Sequence, residues 1–416
     1  MSRNTLTDLG VPEDLSGVLA ARGITSLFPI QKATLPDSLA GKDIAGRAPT
    51  GSGKTLAFAL AIVVRTRRAK PKRPTALVLV PTRELAAQVA KEIEPLARKR
   101  NLRTTTVYGG VGYGEQRQAL RRGVDILVAC PGRLEDLMEQ RELVLDDVQI
   151  AVIDEADRMA DMGFLPAVKR LLDRTRDDRQ TLLYSATLDG DVDVLVKRYQ
   201  RSPVRHETQE ERKGEVHHVF WRARQDERLR LTADLITTHD TAIVFCRTRH
   251  GADRLAKQLK GEGVKAAAIH GSRTQSQRDR ALADFKSGRV RALVATDVAA
   301  RGIHVDQVSC VIHFDPPATD KDYVHRSGRT GRAGYSGKVV SLVAPHQDGD
   351  VRAIQKALRF PLRIERPAAT LKPSEAKEQR WGHRKSSQRT AQHGRSRTKP
   401  NAGRYSQKPG RKQAST

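Results

Sequence analysis

The chain has 416 residues, 38% of them hydrophobic, enough to bury the cores of two or three domains. It carries 75 Lys and Arg against 48 Asp and Glu, a formal net charge of +27 that points to polyanionic partners, above all nucleic acid. Three cysteines, Cys130, Cys246 and Cys310, lie far apart beside or inside apolar runs, so buried thiols are expected rather than bridges or metal ligands. The first fifteen residues hold Asp8, Glu13 and Asp14 and no long apolar core; neither a signal peptide nor a membrane anchor is expected, and the cytoplasm is the expected location.

Along the chain, short apolar runs alternate with longer helical patterns. Strands are predicted at Ala76–Val80, Asp125–Ala129, Ile150–Ile153 and Thr181–Tyr184 in the first half. In the second half they are predicted at Ala242–Phe245, Ala266–Ile269, Ala292–Ala295, Val308–His313 and Val339–Val343. These runs are rich in Val, Ile, Leu and Ala without strict alternation, the pattern of strands buried on both faces. The expected class is α/β, with mostly parallel sheets covered by helices. Residues 207–214 are polar and without an apolar period, so they read as a linker between a domain at 1–206 and a second at 215–363. After Glu378 no acidic residue occurs, while Arg and Lys recur among Ser, Gln, Gly and Pro. Residues 364–416 are therefore expected to form a disordered basic tail.

Two motifs in the first half carry chemistry. Residues 48–55 read Ala48-Pro49-Thr50-Gly51-Ser52-Gly53-Lys54-Thr55 and run into a predicted helix of about Thr55 to Arg65. Gly51 and Gly53 let backbone N–H groups turn toward phosphate, and the helix N-terminus favours the same anion. Lys54 is placed to reach the β- and γ-phosphates and the Thr55 hydroxyl to ligate Mg²⁺. The strand Ile150–Ile153 ends in Asp154 and Glu155. A strand tip there sets Asp154 at the Mg²⁺ shell and Glu155 near an attacking water. Together the two motifs specify a nucleoside triphosphatase, with a nucleoside triphosphate and Mg²⁺ as the expected substrate and cofactor.

Asp154-Glu155-Ala156-Asp157 makes the chain resemble the DEAD-box ATP-dependent RNA helicases of superfamily 2, bacterial type, and further motifs follow in order to about Leu362. The resemblance implies two tandem RecA-like domains that close on ATP and RNA. Gln31, in Phe28-Pro29-Ile30-Gln31, resembles the adenine-reading Q motif, and an amide can both donate to and accept from adenine. Pro49, Thr50, Gly51, Ser52, Gly53, Lys54 and Thr55 complete the nucleotide cradle, with Asp297 and Gly302 from the second half. Arg83, Gly110 and Arg133 resemble the RNA contacts of the first domain; Thr248, Gln275, Arg278 and Thr296 resemble those of the second. Ser185 and Thr187 resemble the element coupling ATP state to RNA. His325, Arg329 and Arg332 resemble the closing motif, whose two arginines can supply the positive charge phosphoryl transfer needs. The implied partner is RNA, single-stranded or in short duplexes, with weak sequence preference because contacts go to phosphate and 2′-OH. The tail is expected to add RNA affinity, and the protein to be a monomer.

Four positions depart from the family pattern. Leu6 and Ile24 stand where aromatics commonly flank adenine, His304 where a ribose-binding Asp is usual, and Cys130 where a Thr is usual. None touches the hydrolytic groups, so the departures bear on nucleotide affinity. Two alternatives remain: a DNA helicase or translocase of the same superfamily, and a passive RNA-annealing chaperone. Gln31 and Asp157 weigh against the first; intact Lys54, Glu155, Arg329 and Arg332 weigh against the second.

Overall fold

A computed structural model describes residues 6–49, 51–208, 214–300, 305, 308–331 and 336–367. Thr50, Gly302, His304, Arg332, most of the expected linker and all but the first four residues of the expected tail lie outside them.

Strands β1 (Ile44–Arg47), β2 (Ala76–Leu79), β3 (Thr104–Val107), β4 (Ile126–Ala129), β5 (Ile150–Asp154), β6 (Gln180–Ser185) and β7 (Val204–Glu207) form one sheet. Their order is β3-β4-β2-β5-β6-β1-β7, and every pairing is parallel. Strands β8 (Val216–Arg222), β9 (Ala242–Phe245), β10 (Ala266–Ile269), β11 (Ala292–Ala295), β12 (Cys310–His313) and β13 (Gly337–Val343) form the second, also all parallel, in the order β10-β11-β9-β12-β13-β8. Helices connect and cover them, giving two parallel α/β domains.

Successive strand residues point to opposite faces. In β5, Ile150 and Val152 join one apolar layer, under helices Lys54–Arg65 and Arg83–Lys99, while Ala151 and Ile153 join the other. In β11, Ala292 and Val294 divide from Leu293 and Ala295 in the same way. Burial of both faces is why these strands read as continuous apolar runs. Cys246 and Cys310 are buried and Cys130 is half-buried; all are unpaired thiols. Burial pushes each up to about 12.

Strands β1, β3, β7 and β8 lack such runs and escape sequence reading. In β1, Gly46 interrupts the pattern because the Tyr184 ring of β6 lies over it; a Cβ there would come within 2.7 Å of the ring. Strands β3, β7 and β8 are sheet edges, so half-buried Thr, Arg and His are tolerated. Two expected boundaries also shift. Glu207, placed in the linker, ends β7 opposite Arg47. Ile364, placed in the tail, packs on the second core, and Glu365 bridges to Trp221 while its backbone carbonyl accepts from Arg222 N at 2.7 Å.

The core of the second domain contains a charge-capable group. His313 ends β12 fully buried, shares a 2.9 Å hydrogen bond between Nδ1 and Ser341 Oγ, and meets the Tyr323 ring edge-on at 5.0 Å. Burial, then the nearby Arg326 guanidinium, holds its pKa well below the usual imidazole value. The folded chain keeps the ring neutral while the unfolded chain takes a proton near pH 6.5. This contribution to stability is therefore full above about pH 6.5 and falls away as pH drops below it. The thermal midpoint of His313→Asn should fall less than the parent's between about pH 7.5 and about pH 5.5; parallel slopes would refute this.

Candidate active site

The loop leaving β1 turns through Gly51 and Gly53, both with positive φ (89° and 83°), into the helix that starts at Lys54. Lys54 is buried and its Nζ donates to the carbonyls of Ala48 at 2.7 Å and Pro49 at 2.8 Å. Ser52 Oγ is buried with no hydrogen-bond partner among the described residues, and Thr55 stands half-buried at the helix start. Gln31 is locked against this loop. Its Oε1 accepts from Phe28 N and its Nε2 donates to Gly53 O, each at 2.8 Å. The approach is close enough that a Cβ on Gly53 would lie 2.4 Å from Gln31 Nε2. One lone pair on Oε1 and one proton on Nε2 remain for a base.

Asp154 ends β5, nearly fully buried, and its Oδ1 accepts from Glu155 N at 3.0 Å. Burial, then the charge of Glu155, raises its carboxyl to about 7, against the pull of Lys54. Glu155 has a left-handed backbone (φ 53°), a strain of roughly 1–3 kcal/mol held by its surroundings. Its Oε2 accepts from Arg158 Nη1 at 2.6 Å. Asp157 joins this strand end to the next: its N–H donates to Ser185 Oγ at 3.1 Å, and its Oδ2 accepts from Ala186 N at 3.3 Å. Thr187 is exposed beside them.

A second group follows β2, β3 and β4 on the same edge. Arg83 lies against Gly110, whose φ of 84° is left-handed and where a Cβ would sit 2.3 Å from Arg83 Nη1. Arg133 donates from both Nη1 and Nη2 to Val111 O at 3.1 Å and lies over the Tyr113 ring at 4.1 Å.

In the second domain, Thr248 caps the helix Arg249–Gly261, accepting from Gly251 N at 3.0 Å. Thr296 follows β11 and is buried; Gln275, half-buried, donates to Asp279 at 2.8 Å. Asp297, His325 and Arg329 line one cavity with Phe245, Asp322 and Arg326. Arg326 holds Asp297 by a fork of 2.6 and 2.8 Å and donates to Asp315 O at 2.6 Å.

Among the described residues three contacts between acidic and basic side chains join the domains, one of them Lys321 Nζ to Asp161 Oδ1 at 3.9 Å. Arg278 Nη2 meets Glu84 Oε1 at 2.7 Å, with both side chains buried. His325 Nε2 meets Asp161 Oδ2 at 3.2 Å. Arg278, expected on RNA, thus points into the domain junction, held to Glu84. Glu84, Arg158, Asp161 and Arg326 are site residues that sequence reasoning does not reach. A charged residue inside a glycine or helix pattern gives no sign of its partner; only Glu84, next to Arg83, and Arg326, next to His325, carry a signal that could have found them.

A phosphate loop, an acid pair and a domain-joining helix at the C-terminal ends of parallel strands define a RecA-like nucleotide-binding protein. The sequence matches the DEAD/DEAH box helicase family over residues 28–195 and the helicase conserved C-terminal domain over residues 227–334. It is 38% identical over 377 residues to the ATP-dependent RNA helicase RhlB of Pseudomonas syringae pv. tomato, covering 88% of this chain and 95% of that protein. It is 40% identical over 362 residues to the DEAD-box ATP-dependent RNA helicase 30 of Arabidopsis thaliana, covering 85% of this chain but only 61% of that longer protein. The structure of S. cerevisiae Dbp5 bound to RNA and ADP BeF3 aligns with a TM-score of 0.73 at 27% identity, covering 88% of this chain and 96% of that one. The chain belongs to the DEAD-box ATP-dependent RNA helicase family.

The Glu84–Arg278 pair should hold the domains together. Arg278→Met removes the partner across the junction and leaves the buried Glu84 carboxylate with Arg83 Nε, at 3.1 Å, as its remaining cation. The loss should therefore fall below the roughly 3–5 kcal/mol of a fully orphaned buried charge, and opening would relieve it by hydration. The radius of gyration in solution should rise in Arg278→Met and less in Glu84→Gln/Arg278→Met. A single variant as compact as the parent would show that the pair does not hold the junction.

Proposed function

We propose that the protein is an RNA-dependent ATPase that locally unwinds short RNA duplexes or remodels RNA–protein complexes, hydrolysing ATP between its two domains. The observation that carries this reading is the His325–Asp161 contact, Nε2 to Oδ2 at 3.2 Å. Asp161 ends the helix Ala156–Asp161 that starts at the acid pair, and His325 lies on the helix Asp320–Ser327 that leads directly to Arg329. The pair therefore brings the arginine-bearing motif of one domain to the acid-bearing motif of the other. The likeness to Dbp5 in its RNA- and nucleotide-bound form supports the same arrangement.

In this reading the adenine meets Gln31. The triphosphate draws Lys54 off the Ala48 and Pro49 carbonyls and takes backbone N–H groups of the loop from Thr50 through Gly51, Ser52 and Gly53, while Pro49, which has no N–H, fixes the entry to the loop, and the Ser52 hydroxyl is also available. Thr55 and Asp154, a hydroxyl and a carboxylate, suit a hard cation and would hold Mg²⁺, which when bound neutralises charge on the phosphate oxygens. Glu155 accepts the proton of the attacking water, its carboxylate oriented by Arg158. Arg329 and Arg332 stabilise charge developing on the phosphoryl group, while His325 ties their motif to Asp161. Asp297 and Gly302 complete the nucleotide side of the second domain.

RNA is assigned to Arg83, Gly110, Arg133, Thr248, Gln275 and Thr296, with Arg278 beside them closing the junction onto Glu84. Ser185, bonded to Asp157, and Thr187, two residues further on, pass the state of the acid pair to that edge. Such groups reach phosphate and sugar, so sequence preference is weak. No helix among the described residues is long and apolar enough to cross a membrane. We assign the protein to the cytoplasm as a monomer, with residues 364–416 adding RNA affinity through charge. ATPase rates with RNA, with single-stranded DNA and with neither separate this reading from a DNA translocase and from a passive chaperone.

Lys54→Ala should abolish ATP binding or turnover, and Glu155→Gln should retain binding while losing turnover. Arg329→Ala should cut hydrolysis on the order of 10³-fold. Phosphate release is the measurement, and a near-normal rate in Glu155→Gln would end its assignment as base. Deleting the chain from Lys372 should leave ATPase activity at saturating RNA and weaken RNA binding. The salt slope should flatten by roughly 0.7 for each single-strand phosphate that the tail neutralises. Unchanged affinity at low and physiological salt would show that the tail has no such role.

A further inference from the structure

The loops that enter the first sheet lie at the N-terminal ends of its strands, about 13 Å along a four-residue strand from the edge that carries the site. They hold charge the proposed function does not use. The segment entering β2 reads Arg67-Arg68-Ala69-Lys70-Pro71-Lys72-Arg73. Its neighbours fix it: Arg67 O accepts from Thr75 Oγ1 at 2.6 Å, Ala69 N donates to Asp125 Oδ1 at 2.6 Å, and Lys72 N donates to Leu120 O at 2.9 Å. Val144 N donates to Lys72 O at 3.0 Å, which ties in the loop entering β5.

The carboxylates of this face are nearly all committed. Asp125 pairs with Arg68 at 3.2 Å; Glu142 takes Lys72, Arg117 and Arg121, each at 3.3 Å. Asp146 and Asp147 take Arg73, and Asp178 takes Arg176. Six cations, Arg67, Lys70, Arg103, Arg122, Arg141 and Arg174, are exposed and have no carboxylate at ion-pair distance among the described residues; against them stand Asp177 and Glu139, the latter two residues before Arg141. They are contiguous. Arg103 donates to the carbonyls of Arg122 and Gly123, Lys72 Nζ donates to Arg141 O at 3.1 Å, and Asp147 feels Arg73, Lys70 and Arg176 together. The loops belong to β3, β4, β2, β5 and β6, adjacent in the sheet and so spread over about 19 Å.

Five of the six are arginines, whose planar forks match phosphate oxygens. The exposed large apolar side chains of the described residues are Phe28, Val144, Val194, Val324 and Leu362, so this face presents no aromatic ring for a base to stack on. Proteins that hold single strands rely on such rings, whereas an A-form duplex offers backbone with its base faces hidden. We propose that this face binds the sugar–phosphate backbone of duplex RNA, a second RNA site on the opposite end of the first sheet from the ATP cleft. It rests on the RNA reading above and adds a grip on structured RNA flanking the strand in the cleft.

The test uses the full chain with Arg67→Gln, Lys70→Gln, Arg122→Gln and Arg174→Gln combined. Arg141, with its left-handed φ of 57°, and Arg103, which braces two carbonyls, are left in place. The probes are a blunt RNA duplex of about 16 base pairs and an oligouridylate of about ten nucleotides. Duplex affinity should fall about tenfold or more at low salt, and its log–log salt slope should shrink by roughly 0.9 for each phosphate no longer neutralised. The ATPase rate at saturating oligouridylate and the thermal midpoint should not change. Unchanged duplex affinity overturns the proposal. So does an equal loss of affinity when the same charge is removed from exposed positions of the second domain, by Arg230→Gln, Lys257→Gln, Lys260→Gln and Lys286→Gln, because net charge would then explain the effect. Failure of the parent chain to respond to oligouridylate would instead count against the proposed function and leave the duplex result standing.

Discussion

A strand buried on both faces can present chemistry only at its ends, because its side chains are committed to packing and its backbone to neighbouring strands. When every pairing is parallel, all C-terminal ends fall on one edge. The phosphate loop after β1, the acid pair after β5, Ser185 at the end of β6 and the Arg83, Gly110 and Arg133 group after β2 to β4 therefore share an edge of the first sheet. Register sets their heights: Arg47 pairs with Ser185, and Asp154 with Tyr184. The nucleotide groups and the proposed RNA groups occupy adjacent stretches of that edge, with Asp157 and Ser185 bonded between strand ends.

Electrostatics at this edge works against the resting structure. Asp154 and Glu155 are buried side by side, and Asp154 carries a raised pKa for that reason. Lys54 turns its ammonium into the loop's own carbonyls. In the proposed function, a buried acid pair and a cation folded back on the backbone would both be relieved by a triphosphate with a divalent cation. The same economy holds across the domain junction, where Glu84 and Asp161 of one domain meet Arg278 and His325 of the other. Charges that would be costly alone become the pairs that make closure specific.

The proposed duplex face follows from the other end of the same sheet. Helices that run antiparallel to the strands end where the next strand starts, and basic residues suit helix C-termini. Arg65, Arg98, Lys99, Arg121 and Arg122 occupy such last turns. The parallel fold thereby gathers basic residues on one side of the sheet while the nucleotide chemistry gathers on the other.

The central strands, the phosphate loop and the acid pair were legible because each is a local pattern: an apolar run, glycines before Lys54-Thr55, two carboxylates after a buried strand. Strands β3, β7 and β8 were not legible, since at a sheet edge Thr, Arg and His can interrupt the apolar run; β10, also an edge, was legible because Ala266–Ile269 is apolar throughout. Glycine in β1 became intelligible only with Tyr184 lying over it. The sequence by itself determined the nucleotide chemistry, the α/β class and the excess of positive charge, because residue type and short-range spacing carry that information. Tertiary structure alone decided the partners of the charges. Arg278 faces Glu84, Arg326 holds Asp297, Arg158 steadies Glu155, and Arg67 and Arg122 find no acid among the described residues, because ion pairing depends on distances between residues that the chain brings together from far apart.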